Sequence, residues 1–202
     1  INDFDIQPTV DDYGDYTFTW TITNGSGAGS CQTSDDVQVH FAEQADAGTE
    51  QFICATLTAN TFDANNPSTG SGEWTYTGPG TVTGWGAGKD ATDFDIQPTV
   101  DDYGDYTFTW TVTNGAVPGD GCQTSDDVLI HFAEQAEAGT EQFICGVLTA
   151  STFDANNPST GTGEWTYTGP GNVTSWGTGK DANDYNIQPT VDDYGDYTFT
   201  WT

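Results

Sequence analysis

The chain has 202 residues, of which 31 are Asp or Glu and two are Lys, and its formal net charge is -29. So acidic a surface has no basic patch that could neutralise phosphates or lie against an anionic bilayer. Nucleic acid and membrane lipid are therefore poor candidate partners. With 34% hydrophobic and 13% aromatic residues, the chain is too aromatic for disorder. Its apolar runs are too short for membrane insertion of this segment. We expect it to fold in water.

The sequence is an internal repeat. The segment FDIQPTVDDYGDYTFTWT begins at Phe4, returns at Phe94 and returns once more, as YNIQPTVDDYGDYTFTWT, at Tyr185. One residue is added in the loop before Cys122. Self-similarity at this period is the signature of an array of similar domains. We divide the chain into a first copy, the C-terminal part of a unit (1–42), a complete second copy (43–133) and a third copy, the truncated N-terminal part of a unit (134–202). We expect the natural protein to continue in both directions, because a missing strand would leave an unpaired edge.

Strand periodicity is strongest from Tyr16 to Thr23, where Tyr16, Phe18, Trp20 and Ile22 share one face and four Thr share the other. Turn signals divide a complete unit into about seven short strands, and no stretch has helical periodicity. The expected strands of the second copy are 46–53, 55–62, 73–78, 81–85, 94–100, 105–113 and 127–133. This pattern predicts an all-β, Greek-key β-sandwich with Trp74, Tyr106, Phe108 and Trp110 in its core.

The segment from Asp102 to Phe108 resembles the D-x-G-x-Y-x-C signature of the immunoglobulin-like tyrosine corner, and Trp74 lies where the core Trp of that fold belongs. Leu57 and Phe108 stand at its two cysteine positions, so the resemblance implies apolar packing in place of the cross-sheet disulfide. The order AGTEQFIC, GEWTYTGPG, YGDYTFTWT, SDDV resembles the PKD-like, immunoglobulin-like tandem repeats of giant surface adhesins in gliding bacteria. That family implies export to the cell surface and a long filament that serves in adhesion or gliding motility.

The four cysteines occupy two repeated positions, Cys31 and Cys122 in one and Cys54 and Cys145 in the other. Paired positions in an exported protein favour disulfides over free buried thiols. A bridge from Cys54 to Cys122 would have to span roughly 20–27 Å, the length of a six-to-eight-residue strand. We therefore predict that each cysteine bonds to a neighbouring repeat.

Carboxylates cluster at the corner before the Tyr-rich strand, as Asp11, Asp12 and Asp15 in the first copy and as Asp101, Asp102 and Asp105 in the second. Oxygen ligands without His or Cys suit calcium, so we expect each acidic corner to be a candidate calcium site that faces the loop of Asp63 or Asp126 in the next unit. Solvated surface charge and Asx turns are the alternative explanation.

The sequence contains no recognisable nucleophile with its base, phosphate-binding loop or zinc motif, and we expect no enzymatic activity. The function that it favours is the stalk of an extracellular surface adhesin, with neighbouring repeats of the same chain as partners. The alternative is a repeated carbohydrate-binding module that gains by avidity. In that case Trp85 and Trp176, in Gly-rich loops, would stack on surface polysaccharide.

Overall fold

The structure is a computed structural model that describes residues 5–25, 31–114 and 121–202. Within these ranges the fold is all-β, and none of the described residues forms a helix that could cross a membrane. The inserted residue before Cys122 belongs to a loop that is largely outside the described residues. The strands are β1 Gly14–Asn24, β2 Cys31–Phe41, β3 Gln51–Cys54, β4 Ser71–Thr77, β5 Val82–Gly84, β6 Thr99–Val100, β7 Gly104–Asn114, β8 Cys122–Ala133, β9 Trp165–Thr168, β10 Val173–Ser175, β11 Thr190–Val191 and β12 Thr198–Trp201.

A four-stranded sheet in the order β3-β8-β7-β4 dominates the second copy. The β7–β8 pair is antiparallel and runs from Gly104 opposite Phe132 to Asn114 opposite Cys122. β3 lies parallel to the end of β8, and β4 lies antiparallel to β7 on the other side. β8 is therefore an interior strand with a partner on each edge.

A smaller sheet lies against this one. β5 and β6 pair antiparallel, with a register shift between Val82 and Gly84. The segment from 57 to 62 joins β6 and the residues before it through isolated hydrogen bonds. Val100 N in β6 donates to Leu57 O at 2.9 Å, Ala59 N donates to Pro98 O at 2.9 Å, and Phe62 N donates to Ile96 O at 2.7 Å. Pro98 lacks an amide hydrogen but keeps its place in the layer through its carbonyl.

The core between the two layers is largely aromatic. Tyr106, Phe108 and Trp110 are completely buried on the inward face of β7, as period-2 alternation requires. Phe62 meets Phe108 edge-on at 5.1 Å between ring centroids, an arrangement that adds to the burial of both rings. Trp74, at 2% exposure, is also buried, so the four predicted core aromatics are confirmed. The buried residues of this cluster run from Ala45 to Phe132.

Tyr106 makes the predicted tyrosine corner. Its hydroxyl donates to Asp102 O at 3.1 Å and accepts a hydrogen bond from Gly80 N at 3.0 Å. Burial of the hydroxyl raises the pKa of Tyr106, which keeps the phenol protonated as a donor. The corner therefore pins the start of β7 to the turn after β4.

The predicted and observed strands agree best in the large sheet, where β4 overlaps 73–78 and β7 and β8 contain 105–113 and 127–133. The expected strand 46–53 is wrong in its extent, because regular pairing is confined to β3. Segment 55–62 forms one bridge, Thr58 with Thr99, rather than a regular strand. Side chains of β8 supply the partners of Ala45 and Ala47, whereas segment 55–62 makes spaced backbone hydrogen bonds that do not form a continuous ladder.

The first and third copies repeat parts of this arrangement. β1 and β2 pair from Gly14 opposite Phe41 to Asn24 opposite Cys31, as β7 and β8 do. In the third copy β9 pairs with β12 and β10 with β11. A second, smaller core cluster there contains Ala155, Trp165, Ile187 and Trp201.

Candidate functional site: the junction between repeat copies

Asn114 joins the second copy to the first. It is the last residue of β7 and is 4% exposed although its side chain is polar. Its Nδ2 donates to Asp15 Oδ1 and to Phe41 O, each at 3.1 Å. A buried amide needs such partners, and both of these belong to the first copy. The contact therefore fixes the end of β7 against the end of the β1–β2 pair.

The acceptor Asp15 is itself held in place. His40, opposite Asp15 in the β1–β2 ladder, contacts its Oδ1 through Nδ1 at 2.8 Å. The hydrogen bonds from His40 and then from Asn114 hold the pKa of Asp15 below its ordinary value, despite some opposing desolvation. The junction thus contains a carboxylate that stays ionised and accepts bonds from both copies.

The connecting segment is bound along its length. Thr124 Oγ1 donates to Glu43 O at 2.6 Å and accepts from Ala45 N at 2.9 Å. Ala47 N donates to Asp126 Oδ2 at 2.9 Å. Ala45 and Ala47 are buried. The segment between β2 and β3 therefore follows the start of β8 instead of extending into solvent as a free linker.

The Glu43 carboxylate closes this segment from the other side. Ser68 donates both its amide and its hydroxyl to Glu43 Oε1, and Asn65 Nδ2 donates to Gln44 O at 3.2 Å. The Ser68 bonds hold the pKa of Glu43 below its ordinary value. The same contacts recur at the start of the third copy, through Glu134, Asn156 and Ser159.

A glycine of one copy lies near a threonine of the next at both junctions. A Cβ placed on Gly14 would lie 3.6 Å from Cγ2 of Thr69 in the second copy. A Cβ placed on Gly104 would lie 3.4 Å from Cγ2 of Thr160 in the third copy. Gly104 and Thr160 are the repeat equivalents of Gly14 and Thr69, so the same two positions lie near each other at both junctions.

In the second copy, His131 and Asp105 are the repeat equivalents of His40 and Asp15. The Nδ1 of His131 lies 2.7 Å from Asp105 Oδ1 and its Nε2 lies 2.8 Å from Glu50 Oε1. Phe52, 71% exposed, stacks on the imidazole at 4.7 Å between centroids. The hydrogen bonds to Asp105 and then to Glu50 raise the pKa of His131 above its ordinary value. The imidazole therefore links β3, β7 and β8 on the outer face of the sheet.

The predicted calcium ligands have different partners. Asp101 accepts from Thr81 N and Thr81 Oγ1, both at 2.6 Å, which lowers its pKa. Asp102 accepts from the amide of Tyr103, as Asp12 does from Tyr13, and Asp105 contacts His131. Among the described residues no three or more His, Cys, Asp or Glu side chains are grouped as a metal site. Calcium at Asp11, Asp12, Asp15 or their equivalents stays a prediction.

The cysteines are all exposed and free in the part of the chain that the structure describes. Cys122 begins β8 opposite Asn114, at the junction with the first copy. Cys54 ends β3 opposite Ala133, at the opposite end of β8. Cys31 begins β2 opposite Asn24, and Cys145 is the third-copy equivalent of Cys54. Bridges to neighbouring repeats stay a prediction.

Trp85 and Trp176 pack inward. Trp85 is half-buried against the core, edge-on to Tyr76 at 6.1 Å and to Phe108 at 6.5 Å between centroids. Trp176 repeats this packing in the third copy, against Tyr167 and Phe199. These contacts give both indoles a structural role, and glycan stacking by them stays a prediction.

Sequence reasoning did not single out Asn114 or Glu43. Asn114 is part of an Asn-Gly turn signal, and a turn alone accounts for an Asn at this position without a distant hydrogen-bond partner. Glu43 recurs as Glu134 with the same spacing to an Asn and a Ser, and that recurrence was the available signal.

No protein-family model and no curated protein sequence match this chain.

Proposed function

We propose that this chain is part of the stalk of an extracellular cell-surface adhesin or gliding-motility filament. The single observation that carries the proposal is the junction between the first and second copies, where the buried Asn114 side chain donates hydrogen bonds to Asp15 and Phe41. A linker that merely tethers domains has no need for a buried amide and a hydrogen-bonded connecting segment. A stalk requires that each unit hold the next in one orientation.

The proposed unit is an immunoglobulin-like, PKD-like sandwich. In support, the order β8-β7-β4 and the opposing layer of 57–62, β6 and β5 correspond to the two sheets of that fold, with β3 added at the edge beside β8. The Tyr106 corner is a further supporting feature. Such a unit resists tension through β8, which has partners on both edges from Ile130 to Phe132.

The acidic surface also fits an array. The second copy contains fourteen Asp or Glu residues and one Lys. Like charge on every unit opposes lateral association of neighbouring filaments. The one Lys of the second copy, Lys89, forms an ion pair with Asp95 of the same copy at 2.6 Å. The proposed interactions are therefore end to end within one chain.

The test is the size and shape of the parent protein. It is recovered from cells, its mass is determined, and its contour length is measured by electron microscopy. A thin filament with evenly spaced beads supports the stalk. A compact protein of a few units would overturn it, and repeated carbohydrate binding would then be tested by retention of whole-repeat fragments on polysaccharide.

A further inference from the structure

A small open cavity lies beside the first half of β4 in the second copy. Its volume is about 350 Å³, at the lower end of the range of clefts that bind small ligands. The turn 66–70 forms one wall, and Thr92 and Phe94 line the other. The base is the main chain of Gly72, which lies so close to the buried Trp110 indole that a Cβ at this position would be 2.0 Å from Cζ2. The base therefore offers a ligand main-chain atoms rather than a side chain.

The N–H and C=O of Gly72 face this cavity. Trp74 N donates to Ala91 O at 2.7 Å, so the main-chain groups of Trp74 point away from β7. Groups two residues apart in a strand point to the same edge, and those of Gly72 therefore point away from β7 as well. Neither group has a hydrogen-bond partner among the described residues. A ligand would find one unused donor and one unused acceptor at the base of the cavity.

Three exposed side chains around the cavity, none of them hydrogen-bonded within the ranges that the structure describes, supply further polar groups. They are the Asn66 amide, the Ser71 hydroxyl and the Glu73 carboxylate. With Gly72 they form a mixed set, in which N–H and O–H groups donate while carbonyl and carboxylate oxygens accept. A ligand that fits this set must itself both donate and accept.

The third copy differs from the second at one position of this site. The equivalent of Thr92 is Asn183, and Asn183 Nδ2 donates at 3.3 Å to Gly163 O, the equivalent of Gly72 O. The hydroxyl of Thr92 donates instead to Asp90 Oδ1 at 2.6 Å. The carbonyl that the third copy satisfies with its own side chain is therefore left open in the second.

We propose that this cavity binds one neutral sugar ring of a polysaccharide through the main chain of Gly72. Sugar hydroxyls both donate and accept, so they satisfy the N–H and C=O of Gly72 and the carboxylate of Glu73 together. An ammonium or guanidinium group accepts no hydrogen bond and would leave the donors of Gly72 and Asn66 unpaired. An anionic group would be repelled by Glu73. The apolar face of the ring packs on Phe94.

This site goes beyond the stalk, because a stalk requires no ligand. It also differs from a module repeated in every unit, since the residue at position 92 decides whether the carbonyl at the base is open. A unit with Thr at this position binds the sugar, and a unit with Asn at the equivalent position is structural only.

The experiment uses the isotope-labelled 202-residue chain and the methyl glycosides of glucose, galactose and mannose as probes. Binding is followed by NMR through the amide shifts of Gly72 and Glu73. We expect saturable shifts at these amides with at least one of the three glycosides. The dissociation constant should be millimolar, because a single ring has few atoms with which to bind.

Thr92→Asn, which introduces the third-copy residue, should weaken this binding at least about tenfold, because the new amide takes the carbonyl at the base. The turn itself should be unaffected, since Asn183 N donates to Asp181 Oδ1 at 2.8 Å as Thr92 N does to Asp90 Oδ1. The reciprocal change, Asn183→Thr, is the matched control and should leave the titration of Gly72 unchanged.

Glu73→Gln should weaken binding about fivefold, because Gln keeps the shape and an acceptor but not the charge. Absence of saturable shifts with all three glycosides, shifts mapped away from the cavity, or equal affinity in Thr92→Asn would overturn the proposal. Shifts at Gly72 with acetyl-arginine amide and none with the glycosides would identify a cation site and would also overturn it. None of these results bears on contour length, so the stalk proposal would stand or fall separately.

Discussion

Replacing Asn114 with Ala should loosen the junction between the first and second copies. The change removes two hydrogen bonds, to Asp15 Oδ1 and to Phe41 O, each 3.1 Å long. A neutral bond contributes about 1 kcal/mol and a bond to a charged group about 1.5–3 kcal/mol. The Asp15 side chain is 65% exposed, so solvent screens that bond and the low end applies. We expect the junction to lose about 2 kcal/mol, or about 30-fold in its opening equilibrium.

Native-state hydrogen exchange measures this loss. An isolated two-stranded ladder is marginal in water, so protection of β1 and β2 near Asp15 and Phe41 depends on the second copy. In Asn114→Ala these amides should exchange about 30-fold faster, while the centre of β7 and β8 keeps its protection.

Asn24→Ala is the matched control, since Asn24 is the repeat equivalent of Asn114 but is exposed at the far end of β1. It should leave exchange at the junction unchanged. Unchanged exchange in Asn114→Ala, or equal acceleration in Asn24→Ala, would refute the assignment of Asn114 to the junction.

Three further predictions concern the second copy. Because its partners raise the pKa of His131, the stability that His131 contributes is fully present below its ordinary pKa of 6.5 and is lost as pH rises through the higher folded value. Denaturant melts across that pH window should show this loss in the parent and not in His131→Gln. An equal dependence of the unfolding free energy on pH in both proteins would contradict the prediction. Gly72→Ala places a Cβ against the Trp110 indole and should destabilise the fold by about 1–3 kcal/mol, seen as a lower melting temperature. The control is Gly84→Ala, whose Cβ would have nothing within 4 Å and should change the melting temperature far less. Equal losses in the two variants would contradict the packing argument. Thr69 Oγ1 is buried without a hydrogen-bond partner, so Thr69→Val should stabilise by about 1 kcal/mol in thermal melts, and a destabilisation would mean that the hydroxyl is satisfied.

The sequence by itself determined the all-β class, the places of β4, β7 and β8, and the core of the large sheet. Tyr106, Phe108 and Trp110 alternate with Thr along β7, so all three aromatic side chains lie on one face of the strand. That face must be the buried one. The tyrosine corner was also predictable, because its donor and acceptor lie four residues apart in a recognisable pattern. These features depend on local spacing, which the sequence states directly.

The tertiary structure decided which distant residues meet. Glu50 and His131 are 81 residues apart and come together because β3 lies parallel to β8. Asn114 reaches Asp15 across 99 residues and between two copies, so an ordinary turn signal became a junction contact. The expected strands 46–53 and 55–62 were too long for the same reason, because alternation does not show where a distant strand stops providing a continuous ladder. Local alternation specifies a face, whereas only the assembled sheets specify what that face and its ends contact.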